Sequence, residues 1–147
     1  MNLMSPAFGP GDPIPPRYTC DGENVSPELR WDGVPDGTII VALACLDPDA
    51  PAGAFTHWLL WDVDPSTTRI PSGEVPIGAR QGRNDFGNVR YDGPCPPPGH
   101  GTHRYRFTLY AAAERVGLPS GAVLAQLLSA LSSTTIGTAE LVGTYAR

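Results

Sequence analysis

The run Thr38-Ile39-Ile40-Val41-Ala42-Leu43-Ala44-Cys45-Leu46 leads directly into Asp47-Pro48-Asp49-Ala50-Pro51. An unbroken apolar stretch, β-branched at its start and stopped by turn formers, reads as a strand buried on both faces. Working outward, His57-Trp58-Leu59-Leu60-Trp61-Asp62-Val63 reads as a second strand. Alternation places His57, Leu59, Trp61 and Val63 on one of its faces. His103 to Ala111 alternates too, with His103, Tyr105, Phe107 and Leu109 on one side, so a half-buried strand is expected there. Gly137 to Tyr145 reads as a closing strand. The one credible helix covers residues 120 to 132, capped by Ser120, with Leu124, Leu127, Leu128 and Leu131 at helical spacing. Arg69 to Pro98 is rich in Gly and Pro and reads as a long ordered loop with one short strand. These elements predict an all-β fold, a β-sandwich with a central sheet and one or two short helices near the C-terminus.

The 147 residues suit a single domain spanning 1–147. Gly and Pro, 17 each, approach the content of disordered chains, but a hydrophobic share of 41% argues for a packed core. Charged residues reach only 17%, which fits a turn-rich β protein better than a helical one. The net charge of -5 leaves no basic field for phosphate backbones, so nucleic acid is not an expected partner. All ten basic residues are Arg. Met1 to Gly11 lacks the pattern of a secretory leader and no segment is apolar enough to span a membrane, so a cytoplasmic protein is expected. Cys20, Cys45 and Cys95 have no CxxC spacing and suggest no disulfide framework, leaving open one bond plus a free thiol. Cys45, inside the apolar run, reads as a small buried hydrophobe.

Chemistry-bearing side chains gather in two clusters at strand ends: Asp47 and Asp49 with His57, and His100 and His103 with Tyr105. One reading makes Asp47 to Pro51 a rigid turn whose carboxylates bond local amides. The other has Asp47 accept a hydrogen bond from His57, favouring an imidazolium that offers its second N–H to an anion. Gly93 to Tyr105 mixes Gly and Pro in a way suited either to a stiff connector or to a nest of inward N–H groups. Catalysis has weaker support. A hydrolase using the Asp/His pocket lacks a Gly-x-Ser-x-Gly elbow, and no Ser is placed by a motif beside His57 or His103. A metal site of Cys95, His100 and His103, completed by Asp47, has no standard finger spacing. Asp85-Phe86-Gly87 matches a kinase tripeptide without the Gly-rich loop, Lys or catalytic loop that would give it meaning. Trp31, Trp58 and Trp61 have strand spacing and read as core in preference to a cage for a choline-like cation.

The ordered set Asp47-Pro48-Asp49-Ala50-Pro51, His57 opening an apolar strand, and Gly99-His100-Gly101-Thr102-His103-Arg104-Tyr105 opening another resembles the phosphatidylethanolamine-binding, or Raf kinase inhibitor, protein family. Asn24 to Trp31, Asn84-Asp85-Phe86-Gly87 and Tyr91-Asp92-Gly93 resemble its bacterial and archaeal branch. The resemblance implies a β-sandwich with a small cavity for phosphate, acetate or a phosphoethanolamine head group. It implies ligand-binding roles for Asp47, His57, Cys95, Pro96, Pro97, His103 and Tyr105. Asp49 and Arg104 would be structural. It also implies a binding or inhibitory module and not an enzyme, with no cofactor. The partners would be a phospholipid head group, a phosphorylated partner, a kinase or a serine protease, and bacterial relatives suggest a homodimer. A cis Ala50–Pro51 bond would suit the turn. Two positions depart from the pattern: Thr56 stands where eukaryotic members have a His, and Cys95 stands where Gly is expected, which would bring a thiol into the cavity wall. The long C-terminal helix of the mammalian proteins is also absent.

Overall fold

The computed structural model describes residues 1–147. Its strands are β1 (Asn2–Met4), β2 (Leu29–Asp32), β3 (Ile40–Asp47), β4 (Phe55–Val63), β5 (Arg69–Ile70), β6 (Arg80–Gln81), β7 (His103–Ala112) and β8 (Thr135–Tyr145), with one helix, α1 (Leu124–Leu131), between the last two. A three-stranded sheet runs β1-β2-β5 and a five-stranded sheet runs β6-β4-β3-β7-β8. All named strand pairs are antiparallel. The run that decides the fold is the central strand, flanked by β4 and β7.

Its two faces build two cores. Val41, Leu43 and Cys45 pack with Trp58, Leu60, Phe107 and Leu109 of the large sheet and with Leu3, Leu29, Trp31 and Ile70 of the small one, forming the sandwich. The opposite face carries Ile40, Ala42, Ala44, Leu59 and Trp61 and is covered by Leu127 and Leu131 of α1. Small side chains at 42 and 44 allow the helix to approach the sheet. The indole of Trp61 completes this layer by donating to the Leu118 carbonyl at 3.1 Å.

Four local expectations are corrected. The helix begins at Leu124 instead of residue 120, and Ser120 does not cap it; the Gln126 Oε1 accepts from the Val123 N–H at 3.0 Å. The long loop carries two short strands, β5 and β6. No peptide bond is cis, so Ala50–Pro51 is trans. Finally, His57 and Val63 do not share a face with Leu59 and Trp61. Pairing steps from Cys45↔Trp58 to Leu46↔Thr56, leaving His57 as an extra residue, and from Val41↔Val63 to Leu43↔Leu60, leaving another near Asp62. Each bulge reverses the alternation. Asp62 takes a left-handed φ of 55°, held there by the Val116 and Gly117 N–H groups that its carboxylate accepts at 2.7 and 3.0 Å.

One disulfide, Cys20–Cys95, joins the N-terminal loop to the loop before β7, and Cys45 is free and buried. Of the arrangements the sequence left open, the fold takes one bond plus a free thiol.

Candidate functional site

The bulge at His57 turns its ring toward the end of the sandwich where β3 finishes and β7 begins. There His57 lies 5.2 Å from Tyr105 and 5.2 Å from Phe55, centroid to centroid. Asp85 brings a third aromatic: its carboxylate accepts the Thr56 N–H at 2.7 Å while its own N–H donates to the Thr56 carbonyl at 2.9 Å. Phe86 thereby stands 4.8 Å from Phe55 and 5.5 Å from His57. These rings, with Asp47, Ala50, Pro51, Cys95, Pro96 and Pro97, enclose a cavity of about 200 Å³. A second cavity of about 210 Å³, including Asn24, Trp58, Gln81 and Arg90, has no buried unpartnered polar atom among its lining residues.

The structure redistributes the expected hydrogen bonds. Asp47 does not pair with His57. Its Oδ2 accepts from His103 Nδ1 at 2.7 Å and its Oδ1 from the Asp49 N–H at 2.8 Å. His57 instead donates its Nδ1–H to the Asp92 carbonyl at 2.6 Å, which leaves Nε2 as an acceptor in the neutral ring. Burial is the largest influence on this ring and lowers its pKa, only partly opposed by the Asp92 and Gly93 carbonyls and the Asp47 charge. The expected imidazolium is therefore not the resting form. Asp92 is itself anchored: Asn24, Asn84 and Asn88 donate side-chain N–H groups to its carboxylate at 2.8 to 3.1 Å.

Tyr105 is fully buried, and its hydroxyl has no hydrogen-bond partner. Burial first, then the charge of Asp47, raise its pKa, so it remains a donor at any ordinary pH. Asp49 and Arg104 fasten the turn after β3 to the start of β7. The guanidinium and backbone N–H of Arg104 donate to the carboxylate at 2.8 to 2.9 Å, and the Arg104 side-chain bonds are the main reason its pKa falls to about 2.

His103 is 2% exposed and does not line the cavity; it stands behind Asp47. Its Nε2 meets His100 Nδ1 at 2.6 Å. The other expected site residues, Asp47, His57, Cys95, Pro96, Pro97 and Tyr105, all reach the wall. Cys95 offers no reactive thiol and no metal-ligating sulfur because it is bonded to Cys20, and no group of three His, Cys, Asp or Glu is placed to hold a metal. Nor does the loop form a nest, since Pro94, Pro96, Pro97 and Pro98 carry no N–H and the positive-φ glycines, Gly99 and Gly101, lie outside the cavity.

Residues 4–146 match the family model described as phosphatidylethanolamine-binding protein. The chain belongs to that family. A UPF0098 protein of Methanothermobacter thermautotrophicus is 46% identical, with the match covering 100% of this chain and 99% of that one. Among solved structures, the phosphatidylethanolamine-binding protein homologue CT736 of Chlamydia trachomatis aligns over 99% of this chain and 97% of its own at 36% identity and a TM-score of 0.93. YbcL of Escherichia coli aligns over 99% and 98% at 32% identity and a TM-score of 0.94.

Residue reading from the sequence missed Phe55, Phe86, Ala50 and Pro51 in the wall and Asp92 behind it. Phe86 sits within Asp85-Phe86-Gly87, which has no meaning as a kinase tripeptide here but is part of the resemblance to this family. Its role depends on Asp85 bonding across to Thr56, a contact between distant segments that no local pattern announces.

Proposed function

We propose that the cavity binds a small phosphate-bearing group, from a phospholipid head group such as phosphoethanolamine or from a phosphorylated side chain of a protein partner. The observation that carries this reading is the Tyr105 hydroxyl, buried without a partner in a residue of the cavity wall. A buried hydroxyl without a partner loses free energy that an acceptor oxygen from a ligand would restore. Asp47 and the neutral His57 are acceptors, which a donor on the ligand, such as a protonated phosphate oxygen or an ammonium, would satisfy. Phe55, Phe86 and the prolines supply apolar walls for a short ester chain.

The histidine rings bond to Asp92, to Asp47 and to each other, so no Ser or Thr hydroxyl is activated by them and the hydrolase alternative gains no support. No helix is long and apolar enough to cross a membrane, and a head-group ligand would be met at a lipid surface. As a recognition module for phosphate groups, such a protein would act on a kinase or protease partner by occupying a site on it.

The test is a thermal-stability titration with inorganic phosphate and phosphorylethanolamine on wild type, Tyr105→Phe and His57→Ala. Ligand at about 100 times its dissociation constant stabilises wild type by about 2.7 kcal/mol. Both variants are expected to lose most of that gain. Equal stabilisation of all three proteins, or none of wild type, overturns the reading.

A further inference from the structure

The cavity has an electrostatic deficit that its lining does not resolve. The chain contains no Lys, no Arg lines the wall, and the carboxylate of Asp47 does. An anion arriving there meets a negative charge with no permanent cation to offset it. Behind Asp47, however, stands an unbroken line of exchangeable protons: Asp47 Oδ2 to His103 Nδ1 at 2.7 Å, then His103 Nε2 to His100 Nδ1 at 2.6 Å. The inner ring is buried and the outer one is exposed. The segment Gly99-His100-Gly101 makes this geometry, because both glycines adopt positive φ, 77° and 94°, and fold the loop so that His100 returns over His103.

We propose that Asp47, His103 and His100 form a proton relay that takes one proton from solvent as an anion enters the cavity, with His100 as its port. This rests on the reading of the cavity as an anion site. In the resting relay His103 donates Nδ1–H to Asp47 and accepts the Nδ1–H of His100. A solvent proton adds to His100 Nε2, and the Nδ1 proton of His100 moves to His103 Nε2. His103 is then an imidazolium paired with Asp47, and His100 is neutral with its proton on Nε2. One proton enters and none leaves. His100 thus does two things: it connects a buried ring to water, and it accepts the Nε2–H of the imidazolium.

The charged and titratable neighbours leave this role to the relay. Asp49 and Arg104 satisfy one another, as do Asp21 and Arg147, whose backbone carbonyl holds Gly99. Tyr145, opposite His103 on β8, donates to Asp21. Tyr105 and the Cys45 thiol stay protonated, both pushed up by burial. His57 is the rival proton acceptor; it reaches the cavity directly, but burial disfavours its charged form.

The experiment measures binding calorimetrically between pH 5.5 and 8 in buffers of different ionisation enthalpy, with sulfate and inorganic phosphate as probes. Sulfate keeps its charge throughout, so any proton taken up goes to the protein. Wild type is expected to take up about one proton per sulfate near pH 7. His100→Ala should lose most of that uptake and about tenfold in affinity at pH 7, with the deficit shrinking toward pH 5.5. His57→Gln, although it binds more weakly, should take up the same number of protons per sulfate bound. In wild type, the two ring-nitrogen resonances of His103 should converge on imidazolium values when sulfate binds, a change that a purely structural His100 would not produce. Undiminished uptake per sulfate bound in His100→Ala, loss of uptake per sulfate bound in His57→Gln, or phosphate binding without sulfate binding each overturns the relay and leaves the anion site standing. Absence of binding by either anion removes the anion site and the relay with it.

Discussion

Tyr105 shows how one atom can separate stability from binding. Its hydroxyl has no partner in the free protein, so Tyr105→Phe should leave unfolding free energy unchanged or raise it by up to about 1 kcal/mol, while abolishing stabilisation by phosphate. Urea unfolding with and without phosphate checks both halves. Asp92 is the opposite case. Its carboxylate ties three asparagine side chains and holds His57 through its backbone. Asp92→Ala strands those donors and should cost about 2 to 3 kcal/mol in the same assay. Acid should also destabilise the protein, with a sign set by two shifts. The lowered pKa of His57 means the unfolded chain binds its proton more readily, so stability present above about pH 6.5 is lost as pH falls through the folded-state value. Asp49, at about 2, adds stability that is present above its ordinary value of 3.8 and declines toward pH 2. His57→Gln should flatten the limb of the melting-temperature profile that begins below about pH 6.5 while leaving the limb nearest about pH 2 intact.

At the scale of elements, the site depends on irregularities in regular strands. The bulge at His57 moves that ring from the helix-covered face to the cavity, and no rule of alternation foresees it. The approach of the loop before β7 depends on Gly93, where an added Cβ would stand 2.0 Å from the Tyr18 carbonyl oxygen. The obstacle is backbone, so Gly93→Ala should cost more than about 2 kcal/mol and weaken phosphate binding, since the displaced segment adjoins Asp92 and Cys95. A melting curve read alongside the phosphate titration tests this. Helix α1 behaves differently. It covers the sheet far from the cavity, so Leu127→Ala should remove about 2 to 5 kcal/mol of stability without changing phosphate affinity once the protein is folded.

For the whole molecule, the Cys20–Cys95 bond joins segments 75 residues apart and anchors one wall of the cavity. Closing a loop of that size in the unfolded chain stabilises the fold by about 4 kcal/mol on chain-entropy grounds. The double variant Cys20→Ser/Cys95→Ser should show that loss in urea unfolding, and an unchanged midpoint would argue that the bond is not formed in solution.

The central strand, its two neighbours and the closing strand were legible because each carries its own periodicity: a continuous apolar run in β3 and strict alternation in β7. The positions of Asp47, His57 and Tyr105 near one end of the sandwich followed from where those strands start and stop. Pairings across the chain were not legible. That Asp47 bonds His103 and not His57, that Cys95 finds Cys20, and that Phe86 joins the wall depend on which loops meet after the sheets have packed. Local sequence specifies the backbone periodicity of each segment. Only the packed fold sets the register, the bulges and the burial that decide which side chains touch and which ring carries charge.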